Sequence, residues 1–79
     1  DGKRSVSFTL QQEVSQIVLP EGLAGHCTLQ QEGLHVKVVH DSRVSPSDLI
    51  VALVQRYRLT DIDIKGPQIE DVVMEVYKS

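Results

Sequence analysis

The chain is poor in aromatic residues and cysteine, and it has no long hydrophobic run. Of its 79 residues, one is Phe, two are Tyr and none is Trp, so any core must be built on Val, Leu and Ile. Cys27 is alone, which excludes an internal disulfide framework and fits a reducing compartment. The longest apolar run, Leu49 to Val54, is far too short to cross a bilayer. With 41% hydrophobic residues, the composition indicates one small globular domain over residues 1–79.

The charge balance is mildly acidic. The formal net charge is −3, which argues against nucleic acid or an anionic membrane as the main partner. The sequence opens on Asp1 without an initiator Met and shows no secretory signal, so we expect a piece excised from a longer chain.

Alternating apolar and polar residues predict four strands. The first covers residues 5–11, the second lies around Cys27 and Leu29, the third covers 34–39 and the fourth 61–65. Glu32-Gly33 predicts a tight hairpin between the second and third strands.

Helical spacing predicts two helices between these strands. Val14, Ile17 and Val18 fall on one face of a short helix within residues 12–19. A longer helix is predicted from the Ser45-Pro46 start to about Tyr57. Its apolar residues cover more than one stripe, which indicates burial on two sides or a second interface formed by Ile50, Val51 and Val54.

A third helix is predicted at the end of the chain. Gly66-Pro67 suits a helix start, and the first turn is acidic, as the helix dipole favours. The residues of its apolar stripe are Ile69, Val72, Val73, Val76 and Tyr77.

This element order predicts an α+β fold. It matches a ferredoxin-like split βαβ antiparallel sheet with helices on one face, extended by an extra C-terminal helix that we place on the covered side. The predicted open face is polar and carries Ser5, Ser7, Thr9, Thr28, Gln30, His35, Lys37, Asp61 and Asp63.

No residues form a recognisable catalytic or cofactor-binding pattern. His26, Cys27, His35 and His40 lack zinc-site spacing, because His35 and His40 would point to opposite faces of one strand. We expect an inert buried thiol and histidines at the surface or at strand ends.

The acidic residues Asp61, Asp63, Glu70 and Asp71 are interpreted as exposed strand positions and helix-start acids. The sequence has no Walker or dinucleotide motif, no Asn, and no aromatic residues on the predicted open face for stacking RNA bases. We therefore expect no metal, no cofactor and no reaction of this domain's own.

Residues 62–76 resemble the end of ATP-binding subunits of ABC transporters in the drug- and antibiotic-exporter group. Those chains close on a short strand, a Pro-Ser/Thr pair, Leu-Glu-Asp-Val-Phe and an apolar helix. Here Pro67 takes the proline position, Glu70-Asp71-Val72 match the core of the motif, and Ile69 replaces the Leu. The sequence departs from the pattern at Gln68, where Ser or Thr is usual, and at Val73, where Phe is usual.

The resemblance implies a non-catalytic C-terminal accessory domain on a cytoplasmic ATPase chain. The parent chain would bind and hydrolyse ATP to drive export, with its Walker motifs upstream of these residues. The implied partners are the domain's own upstream nucleotide-binding domain and its dimer mate, and also the membrane-embedded permease. The implied location is the inner face of the membrane.

Two other classes of function stay open at this point. One is a free-standing ferredoxin-like sensor that binds a small ligand at a homodimer interface. The other is an enzyme of an unrecognised type. A nucleotide-binding domain upstream of Asp1 would favour the transporter hypothesis over both alternatives.

Overall fold

The computed structural model of this chain describes residues 3–66. The predicted terminal helix, together with the motif residues Pro67, Ile69, Glu70, Asp71 and Val72, lies outside this range. The described elements, in chain order, are β1 (Arg4–Leu10), α1 (Glu21–Ala24), β2 (Cys27–Glu32), β3 (His35–His40), α2 (Pro46–Val54) and β4 (Leu59–Lys65).

The four strands form one antiparallel sheet in the order β2-β3-β1-β4. The central strands are therefore β1 and β3, and the edge strands are β2 and β4. The predicted α+β class and the four predicted strands are confirmed. β4 begins two residues earlier than predicted, at Leu59.

The strand register separates an apolar face of the sheet from a polar one. Val6 of β1 lies between Val38 of β3 and Ile64 of β4. One residue on, the other face carries Ser7 between Lys37 and Asp63. Because successive side chains alternate between faces, these pairs fix the side on which each strand residue lies.

The core is aliphatic apart from Phe8 and lies between the apolar face and α2. Leu49 and Leu53, one helical turn apart, are the buried residues of α2. Loop residues complete the cluster, since Ile17 precedes α1 and Val44 precedes α2. The buried apolar residues are Val6, Phe8, Leu10, Ile17, Val36, Val38, Val44, Leu49 and Leu53.

The predicted short helix over residues 12–19 is wrong. The helix forms later, at Glu21–Ala24, where the carbonyl of Pro20 accepts hydrogen bonds from the N–H groups of Leu23 and Ala24. The proline before the first helical residue has its φ angle fixed by the ring at a value that suits a helix start. Residues 12–19 instead follow an irregular path. On this path Ile17 is buried while Val18 is exposed, and the Val18 N–H donates to the Tyr57 hydroxyl at 2.9 Å.

The predicted start of α2 is confirmed, and its predicted end is too late. Pro46 is the first helical residue, but the Ser45 side chain makes no capping hydrogen bond. The helix ends at Val54, and the turn that follows is closed by a hydrogen bond from the Tyr57 N–H to the Leu53 carbonyl at 2.8 Å.

Two backbone positions with positive φ shape the sheet. Gly33 has φ 62 at the β2–β3 hairpin, as the Glu-Gly pair predicts. Asp61 has φ 53 where the pairing of β1 and β4 shifts by one residue between Ser7 and Thr9. This bulge keeps Ile62 and Ile64 on the apolar face of the sheet.

Candidate functional site

The polar face of the sheet carries a shallow cavity of about 330 Å³. Thr9 and His35 lie opposite each other on β1 and β3, with the Thr9 Oγ1 at 3.4 Å from the His35 Nδ1. The predicted polar face is thereby confirmed in its strand positions, while Ser5 is buried between Val39 and Lys65. The cavity is lined by Ser7, Phe8, Thr9, Gln30, Gln31, Glu32, His35, Val36, Lys37 and Asp61.

The residues that line this cavity offer hydrogen-bonding groups. The Thr9–His35 distance of 3.4 Å is long for a hydroxyl activated by a base. Among the hydrogen bonds of residues 3–66, His35 has no carboxylate partner that would orient its ring. Amide, hydroxyl, ammonium and carboxylate groups together suit a small polar ligand.

A second polar group lies where β3 leaves the sheet. The Asp41 carboxylate pairs with the His26 Nδ1 at 3.1 Å and accepts the Arg43 N–H at 2.8 Å. The hydrogen bond from the Arg43 backbone, followed by the contact with His26, lowers the pKa of Asp41. These contacts tie the end of β3 to the residue that precedes β2.

Cys27 lies beside this group and is half-buried. Burial, and secondarily the negative charge of Asp41, raise the pKa of the Cys27 thiol. A raised pKa reduces the thiolate that would act as a nucleophile or metal ligand. The sequence predicts a buried and inert thiol; the side chain is only half-buried, and its inertness stays a prediction.

His40 lies at a strand end, as predicted, but it is buried there rather than exposed. It lies at the end of β3 and is 1% exposed, on the same face as Val36 and Val38. Its Nδ1 donates a hydrogen bond to the Asp41 carbonyl at 2.9 Å, while its buried Nε2 has no hydrogen-bond partner among residues 3–66. The two-residue spacing from Val36 and Val38 was the signal that could have placed His40 in the core.

The metal-ligating residue types do not converge in the part of the chain that the structure describes. No group of three or more His, Cys, Asp or Glu side chains within residues 3–66 is placed to hold a metal ion. His35 and His40 occupy opposite faces of β3, as their spacing predicts. Asp61 and Asp63 are exposed, as predicted, and Glu70 and Asp71 lie outside the described residues.

Both α2 and β4 carry exposed apolar residues, which we refer to together as the β4–α2 strip. Val51 and Val54 are 53% and 49% exposed, and Ile62 and Ile64 are 41% and 53% exposed. Of the interface residues suggested by the sequence, Val51 and Val54 thus lie at the surface, whereas Ile50 packs against the core. Within residues 3–66, α2 is therefore buried on one side and not on two.

Comparison with known proteins found no match to a protein-family model, to a curated protein or to a solved structure. Within residues 3–66, neither helix is long and apolar enough to span a membrane.

Proposed function

We propose that this chain is a non-catalytic regulatory or assembly module of the ATP-binding subunit of an ABC exporter. In this proposal the parent chain binds and hydrolyses ATP in the cytoplasm at the inner face of the membrane. The module helps two such subunits to pair or to couple to the permease, and it has no reaction of its own. The observation that carries the proposal is the motif of Pro67, Ile69, Glu70, Asp71 and Val72 directly after β4.

The order of the elements supports the proposal. The resemblance implies an opening strand, a short helical stretch, a hairpin, a helix and a strand before the motif. The sequence β1, α1, β2, β3, α2 and β4 agrees with this order. We also propose the finer ferredoxin-like fold, because β3 lies between β1 and β2 while β1 lies between β3 and β4. That placement gives two interleaved split βαβ units.

The chemistry of the described residues also suits a module without a reaction. The thiol of Cys27 has a raised pKa, and the closest hydroxyl–imidazole pair, Thr9 with His35, is 3.4 Å apart. What these residues offer instead is an open polar face of the sheet.

The test is deletion of residues 1–79 from the parent ATPase. We expect nucleotide binding to be retained while export or pairing of the subunits falls. The matched control is Gln12→Ala, which changes an exposed loop side chain outside both surfaces and should leave export at the level of the unmodified transporter. Unchanged transport after the deletion would contradict the proposal.

A homodimeric sensor of a small polar ligand is the second candidate, and the cavity of about 330 Å³ on the polar face is the observation that favours it. It predicts that residues 1–79 dimerise and that Lys37→Ala weakens binding of a small polar ligand. Light scattering and a thermal-shift screen of polar metabolites would test it. A monomer that no compound stabilises would exclude this candidate.

A further inference from the structure

The apolar face of β4 is the part of the sheet whose large side chains stay exposed. Ile64 lies directly opposite Val6, and Ile62 lies on the same face two residues earlier. Yet Val6 is 0% exposed, whereas Ile62 and Ile64 are 41% and 53% exposed. An edge strand with exposed isoleucines is a site for apolar docking or aggregation.

The flank of α2 that borders β4 is apolar as well. β3 and β4 both run antiparallel to β1, so they are parallel to each other and α2 crosses between them. Such crossovers are right-handed in about 98% of cases. Leu49 and Leu53 are the residues of α2 that face the sheet. Each following residue is rotated by about 100° around the helix axis, and on a right-handed crossover this rotation places Ile50 and Val54 on the β4 side of α2. Val51 then points away from the sheet.

In this geometry Ile50 and Val54 flank the apolar face of β4, and we call the surface bounded by these residues and the two isoleucines the groove. Ile62 and Ile64 form its floor, and Ile50 and Val54 form one wall. The charged residues of β4 do not enter it, because Asp63 lies opposite Ser7 on the other face of the sheet. The groove therefore suits an apolar stripe and offers nothing to a charged ligand.

The chain itself supplies such a stripe immediately after the groove. β4 ends at Lys65, and residues 67–77 carry apolar side chains at helical spacing after Gly66. Eleven residues at the rise of a helix would span about 16 Å, which is less than the length of the seven-residue strand β4. Because one glycine separates strand from segment, the local concentration of the segment at the groove exceeds that of any free partner.

We propose that the groove of Ile50, Val54, Ile62 and Ile64 binds this chain's own terminal segment, residues 67–77. In this proposal Ile69, Val72 and Val76 are the residues that contact the groove. At helical spacing the acidic residues Glu70, Asp71 and Glu75 fall outside this apolar stripe. This inference does not depend on the proposed function, since it rests on the exposed groove and on the pattern of the segment that follows it.

Hydrogen exchange on the full 79-residue chain tests the proposal. We expect the amides of residues 69–76 to exchange at least about tenfold more slowly than in an unstructured peptide. Ile64→Asp and Val54→Asp should abolish this protection, because each places a carboxylate in the groove. The matched control is Val51→Asp, on the same helix but facing away from the groove, and it should keep the protection. Protected amides at Val6 and Val38 would show that each variant still folds.

A second measurement on the unmodified chain identifies the occupant. Nuclear Overhauser contacts between the δ-methyl groups of Ile62 or Ile64 and the methyl groups of Val72 or Val76 are expected within one molecule. In a mixture of labelled and unlabelled chains, contacts between molecules would assign the groove to a second copy and overturn the proposal. Unprotected amides at residues 69–76, protection that survives Ile64→Asp, or equal loss in Val51→Asp would overturn it too.

Discussion

The buried core and the β4–α2 strip are built from the same residue types but differ in exposure. Leu49 and Val51 stand two residues apart on one helix and are 0% and 53% exposed. Val6 and Ile64 are paired across two strands and are also 0% and 53% exposed. An apolar residue in a predicted element is therefore not by itself a core residue. Its position relative to the sheet centre and the helix axis decides how much of it is buried.

The difference arises from the order of the strands. β1 has a strand on each side and α2 above it, so its apolar side chains are enclosed. Within the described part of the chain, β4 has a neighbouring strand on one side only, and α2 covers it incompletely. If this difference in burial is also a difference in stability, truncation should lower the free energy of unfolding more in the core than at the β4–α2 strip.

The largest effect is expected from truncation in the core. Leu49→Ala should lower the free energy of unfolding by about 3 kcal/mol, because it leaves a cavity beneath α2. Val51→Ala on the same helix should change it by less than about 0.5 kcal/mol. Urea unfolding of both variants measures the two values. Similar losses in both would show that Val51 is buried and would remove the contrast.

Truncation of the Val6–Ile64 pair tests the same contrast across the sheet. Val6→Ala should cost about 2 kcal/mol, because this side chain is fully enclosed. Ile64→Ala should cost about 1 kcal/mol, because about half of this side chain is exposed at an edge strand. Equilibrium unfolding of the 79-residue chain gives both numbers. A loss at Ile64 as large as the loss at Val6 would remove the contrast.

Adding a single methyl group at the turn of the β2–β3 hairpin should lower the stability of the fold. Gly33 has φ 62, which costs an L-residue about 1 kcal/mol, although a Cβ there would meet no other atom. Gly33→Ala should therefore lower the unfolding free energy by about that amount. Gly25→Ala is the control, because Gly25 has φ −71 and also has space for a Cβ. Equal effects at both positions would contradict a strain explanation.

The smallest effect on stability is expected from the contacts of the Asp41 carboxylate, and this effect depends on pH. The pKa of Asp41 is lowered from 3.8, so its contacts stabilise the fold above that value. The contribution disappears as the pH falls through the lower pKa of the folded state. Asp41→Asn should thus be less stable than the unmodified chain at about pH 5, and the two should converge in acid. Thermal unfolding across this range measures the difference, and a gap that widens on acidification would contradict the sign.

The sequence predicted the strands and α2 well because their signals are local. Alternation over residues 5–11, the Glu-Gly turn and the Ser45-Pro46 start each depend on neighbouring residues. The helix assigned to residues 12–19 failed because three apolar residues at helical spacing do not outweigh tertiary contacts, which bury Ile17 and leave Val18 at the surface. His40 was missed because its burial depends on enclosure at the end of β3.

The candidate surfaces were predictable only in part. Strand alternation placed His35 and Lys37 on the polar face, and register alone could not show that they line one cavity with Asp61. The bulge at Asp61 decides that arrangement, and no residue pattern marks it in advance. Likewise, the apolar run Leu49–Val54 predicted an interface or double burial without saying which side of α2 stays exposed.

The most direct test of the proposed function is nucleotide binding by the whole natural chain that contains these residues. The proposal predicts a Walker motif upstream of Asp1, ATP binding by the whole chain, and no ATP binding by residues 1–79 alone. Isothermal titration of both forms with ATP and Mg²⁺ makes the comparison. A natural chain without a nucleotide-binding domain, or ATP binding that resides in residues 1–79, would contradict it.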